Sequence, residues 1–281
     1  MCALKLIVEA GTTKTDSVLI GPKGYTEETL HSSGINPVTD IHYKRAIEEL
    51  VQPYLQSSIK EIYYYGSGCI NDRVNQMLSA EIQSHFDKEL PIAVDDDLIA
   101  VGHGLCKDAS GIVSILGTGS NTGYYDGTQI SDGVKSCGYL IGDEGSGFRL
   151  GQSVLRRFAR KNLSVDLKKQ IENQYDLKID DAVANIYGSD NPRQYVASFA
   201  KVVNQMPSDL KNEILGEVFE PFIKEHILDM TEKYKRPVHL SGSIAFHFEA
   251  ELRSMLEKFN IIVGSIHKSP LTGLISYHSY E

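Results

Sequence analysis

The sequence predicts an α/β protein of two domains. Strand-length apolar runs alternate with helix-period segments through the first half of the chain. A strand, a turn of small residues and a returning strand open the chain, and the same succession recurs from Gly111. The length of 281 residues suits one large or two medium domains with cores of their own.

The elements follow in order. Leu4 to Val8 reads as a buried strand and Thr15 to Ile20 as its partner, after a short turn. Gly21-Pro22-Lys23-Gly24 is turn chemistry, and a third strand is expected over Thr26 to His31. Tyr43 to Gln56 is helical, with Ala46, Ile47, Leu50, Val51 and Leu55 on one face. Glu61 to Tyr65 is a strand stopped by Gly66-Ser67-Gly68. A helix over Val74 to Phe86, a strand over Pro91 to Val94 and a helix over Leu98 to Cys106 follow. Ile112 to Leu116 then repeats the opening strand and ends in Gly117-Thr118-Gly119-Ser120. Asn121 to Tyr125 returns, Asp126-Gly127 turns, and a further strand begins at Thr128. Ser146 to Tyr234 is mainly helical. Val238 to Leu240 is a strand, Ala245 to Phe259 a helix, Ile261 to Val263 a strand and Pro270 to Tyr280 a closing helix. The repeat is one of topology and not of sequence, and the boundary falls near Ala109.

Composition limits the function. A formal net charge of −9 argues against a nucleic-acid partner, because an acidic surface repels phosphate backbones. The four cysteines, Cys2, Cys69, Cys106 and Cys137, form no C-x-x-C pair, so spacing suggests neither zinc nor a disulfide framework. Reduced cysteines in a cytoplasmic protein are expected. The N-terminal stretch lacks the features of a signal peptide. No run of about 18 apolar residues spans a membrane.

Five segments could carry chemistry. Glu9-Ala10-Gly11-Thr12-Thr13-Lys14 places an acid at a strand end before small and hydroxylated residues. Such a turn lets backbone and hydroxyl donors approach phosphates, and its carboxylate can hold Mg2+ through water. Gly117-Thr118-Gly119-Ser120-Asn121 has the same character. Taken singly, each also fits a plain hairpin. Asp95-Asp96-Asp97 lies between a strand and a helix. An N-cap explains one of these acids, and a carboxylate there could also accept a hydroxyl proton. Gly142-Asp143-Glu144-Gly145-Ser146-Gly147 precedes a helix, either as a capped glycine loop or as a loop built around a polar ligand. Ser241-Gly242-Ser243 is a tight strand-to-helix turn that could also carry a flat ring.

Taken in order, these segments resemble the N-acetylglucosamine kinase branch of the BadF/BadG-type ATPases, within the actin/hexokinase/Hsp70 superfamily. The resemblance covers nearly the whole chain, and ILGTGSN together with LIGDEGSG is its most specific part. It implies two ribonuclease H-like (actin-like ATPase) domains with an active-site cleft between them. The first comprises residues 1–108 plus 269–281 and the second residues 109–268. The sequence departs from the family at Glu9, where most relatives carry Asp, and at Ala10 and Thr12, which replace glycines. Cys137 stands where animal relatives carry tryptophan.

The resemblance further implies ATP and Mg2+ as cofactors and an amino sugar as acceptor, and it allows a homodimer. Asp97 aligns with the catalytic base. Gly11, Thr12, Thr13, Lys14, Gly117, Thr118 and Gly119 would meet the phosphates, Glu9 would hold Mg2+ through water, and Gly242 and Ser243 would meet the adenosine. Asn36, Gly68, Ser120, Asn121 and Asp143 would line the sugar. The implied reaction is in-line transfer to the 6-hydroxyl of N-acetylglucosamine, with N-acetylmuramic acid and glucosamine as alternatives. A reductase-activating ATPase of the same fold would need clustered cysteines for an iron–sulfur centre. A sugar-sensing regulator would need an added DNA-binding module.

Overall fold

The computed structural model describes residues 4–279 apart from 23–25, 27, 161, 177 and 179–180. The chain divides into two units. The first comprises Met1–Gly111, Tyr125–Ser131 and Ser269–Glu281, and the second Ile112–Tyr124 and Asp132–Lys268.

In the first unit β1 (Leu4–Ala10), β2 (Lys14–Ile20), β3 (Leu30–Ser33), β4 (Ile59–Gly66) and β5 (Ile92–Asp96) form a sheet of order β3-β2-β1-β4-β5. β1 pairs antiparallel with β2 and parallel with β4, and β4 pairs parallel with β5. Alternation along β1 sends Leu6, Val8 and Ala10 to one core cluster and Ile7 to another. The first cluster is completed by α1 (Tyr43–Val51) and α2 (Asp72–Gln83). The second is completed by α3 (Asp97–Val101) and by Leu271 and Leu274 near the C-terminus. Burying a side chain such as Ile7 contributes about 1.5–3 kcal/mol.

Three expected elements are corrected here. α1 stops at Val51 and continues only as a 3-10 turn, Gln52–Tyr54, because Pro53 has no N–H to extend the helix. The third strand lies at Leu30–Ser33, and Thr26 makes only an isolated bridge to Ile20. β3 is a polar edge strand with weak alternation, and its register is held by His31 Nδ1 at 2.7 Å from Asp16 Oδ1. The helix expected over Leu98 to Cys106 changes at Gly102 into a π turn, Gly102–Cys106. Lys23 and Gly24 of the expected turn lie outside the described residues, as do Cys2, Glu27 and Tyr280.

The second unit repeats the plan. β6 (Gly111–Leu116), β7 (Ser120–Tyr125) and β8 (Ile130–Gly133) lead into α4 (Gly138–Ile141) and α5 (Gly147–Ala159). A helical stretch follows: α6 (Val165–Tyr175), α7 (Ala182–Gly188), α8 (Pro192–Ser198), α9 (Ser208–Phe222) and α10 (Leu228–Tyr234). β9 (Val238–Ser241), α11 (Ser243–His247), α12 (Glu249–Lys258) and β10 (Val263–His267) complete it. The sheet order is β10-β9-β6-β7-β8. Counted from each unit's first strand, both sheets therefore run third, second, first, fourth, fifth.

Two further corrections belong to this unit. The helix expected over Ala245 to Phe259 breaks at Phe248, whose ring is buried in the core and whose backbone leaves the helical region (φ −115, ψ 27). The last strand is Val263–His267 rather than Ile261 to Val263. Ile261 is buried in the connection from α12, and β10 itself carries Gly264 and Ser265, which give little apolar signal.

The closing helix α13 (Leu271–His278) belongs to the first unit. There the Tyr65 hydroxyl lies 2.9 Å from His103 Nδ1 and 2.8 Å from His278 Nε2. Among the described residues no helix is long and apolar enough to cross a membrane.

Candidate active site

The parallel strands of the first unit end together. Ala10 on β1 stands beside Gly66 on β4, and Gly66 beside Asp96 on β5. In open α/β sheets, ligands bind outside the carboxyl ends of such strands. The turn after β1 is closed by the Gly11 N–H donating to Lys14 O at 2.9 Å. It is pinned from outside by Ile35 N–H to Gly11 O (3.0 Å) and Ser67 N–H to Ala10 O (2.9 Å). A Cβ on Gly34 would overlap the Thr12 carbonyl, so the two backbones meet only because residue 34 is glycine. Thr12 Oγ1 lies 3.2 Å from Ser67 Oγ. Thr13 and Lys14 are exposed, and Lys14 pairs with Asp16 at 2.6 Å.

Asn36 is buried beside this turn. Its Oδ1 accepts the Val38 and Thr39 N–H groups at 3.0 and 3.2 Å, and its Nδ2 donates to Ser67 Oγ at 3.4 Å. Gly68 has φ +89, and a Cβ there would stand 2.6 Å from Asn36 Oδ1. The structure thus brings Gly11, Thr12, Asn36 and Gly68 to one sheet edge.

The acids gather at the same edge. Asp96 is the N-cap of α3, its carboxylate accepting the Leu98 N–H at 2.8 Å, and Asp97 is the first helical residue. Burial pushes Asp97 well above the usual carboxylate range, and the charges of Asp96 and Glu9 push it further. Burial raises Asp95 and Asp96 as well. Glu9 is raised by burial and then by Asp16, while a hydrogen bond from Ser269 Oγ (3.1 Å) and the charge of Lys14 oppose the rise. Cys69, buried beside these acids, has its thiol pushed up to about 12 by burial, so it is no nucleophile at neutral pH.

In the second unit the turn after β6 abuts the start of α5. Gly147 and Phe148 donate their N–H groups to Gly117 O (2.8 Å) and Thr118 O (3.1 Å), satisfying donors that a helix start leaves open. The Ser146 side chain caps α5 through the Arg149 N–H. A Cβ built on Gly117 meets nothing within 4 Å. Gly242, at φ +113, follows β9, and a Cβ there would overlap Leu116 O. Ser243 is exposed. Asn121 Oδ1 accepts the Thr122 N–H at 3.0 Å. Ser120 is buried, and its Oγ has no partner among the described residues. Asp143 is buried at φ +59, and its Oδ2 accepts from Arg193 Nη2 at 2.7 Å.

These turns stand at equivalent places in two sheets of one strand order. The chain is similar in structure to a candidate N-acetylglucosamine kinase from Porphyromonas gingivalis, with a TM-score of 0.86, 32% identity and coverage of 98% of both chains. The chain belongs to the family of that N-acetylglucosamine kinase-like protein. A ROK-family glucokinase from Streptomyces griseus, solved with glucose and AMPPNP, is similar in fold at a TM-score of 0.63 and 14% identity, with coverage of 98% of both chains. Among curated proteins, an N-acetylmuramic acid/N-acetylglucosamine kinase of Clostridium acetobutylicum is 30% identical over 185 residues, 61% of this chain. The chain spans 60% of that relative's length. No family model matches the chain.

Residues of the second unit leave space for a nucleotide's phosphates. The space over Gly117 and the unpartnered Ser120 hydroxyl leave room and a donor for phosphates and a polar ligand. Among the described residues no three His, Cys, Asp or Glu side chains cluster as a metal cage. Glu9 by itself suits Mg2+, which keeps most of its waters and leans on substrate phosphates. Cys69, Cys106 and Cys137 are unpaired. A cavity of about 800 Å3 beside α5 includes Glu144, Arg149, Arg157, Glu213 and Glu217 in its lining. Arg157 there is already paired with both glutamates.

Sequence reasoning missed Arg193 and Ser269. They lie 50 and 260 positions from their acidic partners, and no local spacing marks such pairs.

Proposed function

We propose that this chain is an ATP-dependent amino-sugar kinase of the N-acetylglucosamine kinase branch of BadF/BadG-type ATPases, acting on the 6-hydroxyl of N-acetylglucosamine. The observation that carries the reading is the Asp97 carboxyl at the carboxyl edge of the first sheet. Its proton affinity is raised by burial, the property a general base needs to take a hydroxyl proton. The Porphyromonas gingivalis and Clostridium acetobutylicum relatives support the amino-sugar class by their names.

In this reading Asp97 accepts the proton of the sugar hydroxyl as its oxygen attacks the γ-phosphorus. The backbone and hydroxyl donors of Gly11 to Lys14 and of Gly117 to Gly119 hold the phosphates. Gly242 and Ser243 meet the adenosine. Asn36, Gly68, Ser120, Asn121 and Asp143 bind and orient the sugar. Mg2+ would supply charge neutralisation on the phosphate oxygens when bound, and Glu9 would hold it through water. N-acetylmuramic acid is the second acceptor, since the curated relative is named for both sugars.

The test is ATP turnover with Mg2+, comparing no sugar, N-acetylglucosamine, N-acetylmuramic acid, glucosamine and glucose. Turnover that depends on an amino sugar is expected. Equal hydrolysis with and without sugar would overturn the kinase reading.

A further inference from the structure

The helical stretch of the second unit delivers a residue to the candidate sugar site. Gly151 on α5 has no side chain, and a Cβ there would overlap the Val196 carbonyl. α8 therefore packs directly against α5. Its start is fixed by Pro192 in the first turn and by Asn191, whose side chain accepts the Gln194 N–H at 3.1 Å. Arg193, in that first turn, reaches the Asp143 carboxylate through Nη2.

Other groups hold the loop around Asp143 but not its carboxylate. Arg149 donates to Gly142 O through Nε (3.0 Å) and Nη2 (2.7 Å). His226 Nε2 lies 2.9 Å from Glu144 Oε2. Among the described residues Arg193 alone bonds the Asp143 carboxylate, and it engages only Oδ2. The pair packs flush on the Gly117–Gly119 turn. A Cβ on Gly119 would overlap Arg193 Nη2 and stand 2.8 Å from Asp143 Oδ2. Next in the chain, Ser120 keeps its buried hydroxyl unpartnered. Buried polar atoms are nearly always paired. Ser120 Oγ is thus a buried hydroxyl open to a polyhydroxylated ligand, beside a carboxylate whose Oδ1 the guanidinium leaves unengaged.

We propose that Arg193 is a positioning residue of the sugar site, fixing the Asp143 carboxylate as the acceptor for a hydroxyl of the acceptor sugar. The proposal rests on the amino-sugar kinase reading. One oxygen of the carboxylate is committed to the guanidinium, so the other is held in place for the substrate.

The experiment compares wild type, Arg193→Met, Arg193→Lys, Asp143→Asn and the Arg193→Met/Asp143→Asn double variant. Steady-state kinetics with N-acetylglucosamine and N-acetylmuramic acid are read beside the thermal midpoint. Arg193→Met should raise KM for both sugars about tenfold or more, because truncating one partner of a buried charge pair leaves the other misplaced. The KM for ATP should stay within about twofold. Arg193→Lys should recover part of the loss, and the double variant should be no worse than Asp143→Asn alone. Unchanged sugar KM, an equal rise in the ATP KM, or additive losses would each overturn the assignment. So would a loss confined to N-acetylmuramic acid, which would make Arg193 a reader of substrate charge. If Arg193→Met does not fold, Arg193→Lys and the double variant carry the same comparison, since neither leaves a carboxylate without a partner. A wild type without sugar-dependent turnover would defeat the kinase reading, whereas an active wild type with insensitive variants would defeat this assignment only.

Discussion

Asp96 caps the helix that Asp97 begins: its Oδ1 accepts the Leu98 N–H at 2.8 Å. Of two adjacent acids, one is committed to the backbone and the other is left for chemistry. A hydrogen bond between the two carboxyl groups adds to burial in favouring the proton on Asp97.

Asp97→Asn should lower sugar-dependent turnover by at least ~10²-fold, the span that general bases contribute, while binding of the sugar persists. Asp96→Asn should cost far less, because asparagine caps a helix about as well as aspartate. Calorimetric titration of the sugar beside kcat checks both, and near-wild-type turnover in Asp97→Asn would remove that residue from the base role.

The pH profile follows from the same shift. A base must be deprotonated to act, and a raised pKa moves the acid limb of kcat/KM upward, above the usual Asp range near 3.9. A limb at the usual value would point to another base. For stability the sign is opposite to that of an ion-paired carboxylate. A group whose folded pKa is raised gives stability that is present below its unfolded pKa and is lost as pH rises through the folded value. Asp97→Asn should therefore raise the thermal midpoint at pH 7, with the gain over wild type shrinking as the buffer is acidified.

Gly242→Ala should weaken ATP without touching the sugar directly. Its φ of +113 is costly for a side chain, and the added methyl would overlap Leu116 O at the mouth of β6. A strained residue of this kind costs on the order of 1–3 kcal/mol. A KM for ATP raised about tenfold, read with unchanged secondary structure by circular dichroism, is the expected outcome.

Ser269→Ala should raise the Mg2+ concentration needed for half-maximal rate. The Ser269 hydroxyl opposes the rise in the Glu9 pKa, so its loss raises that pKa further, and protons then compete better with the ion. An increase that is larger at pH 6 than at pH 7 is the expected outcome. Magnesium titrations at the two pH values decide it.

Much of the fold was legible because β1, β4, β6 and β9 are central strands whose apolar runs carry the signal. The edge strands β3 and β10 were misplaced because Leu30–Ser33 and Val263–His267 are largely polar or small. At the candidate site, the turns at Gly11, Gly117 and Gly242 were legible as turns because each is built from consecutive small residues. The Asp143–Arg193 pair could not be read, because it joins a loop to a helix 50 positions later. Nor could sequence tell that Asp96 rather than Asp97 would cap α3, a choice made by where β5 stops pairing.

The Tyr65 hydroxyl has a consequence for the imidazoles on either side of it. Burial pushes this phenol well above its ordinary pKa, so it keeps its one proton. It can donate that proton to His103 Nδ1 or to His278 Nε2, but not to both. The other nitrogen must carry a hydrogen of its own to bond the same oxygen. Burial also holds His103 toward its neutral form, and its hydrogen bond to the Thr128 backbone takes the ring's single N–H. The tautomers of two histidines 175 positions apart are therefore chosen together, and a change in one ring obliges the phenol to turn toward the other.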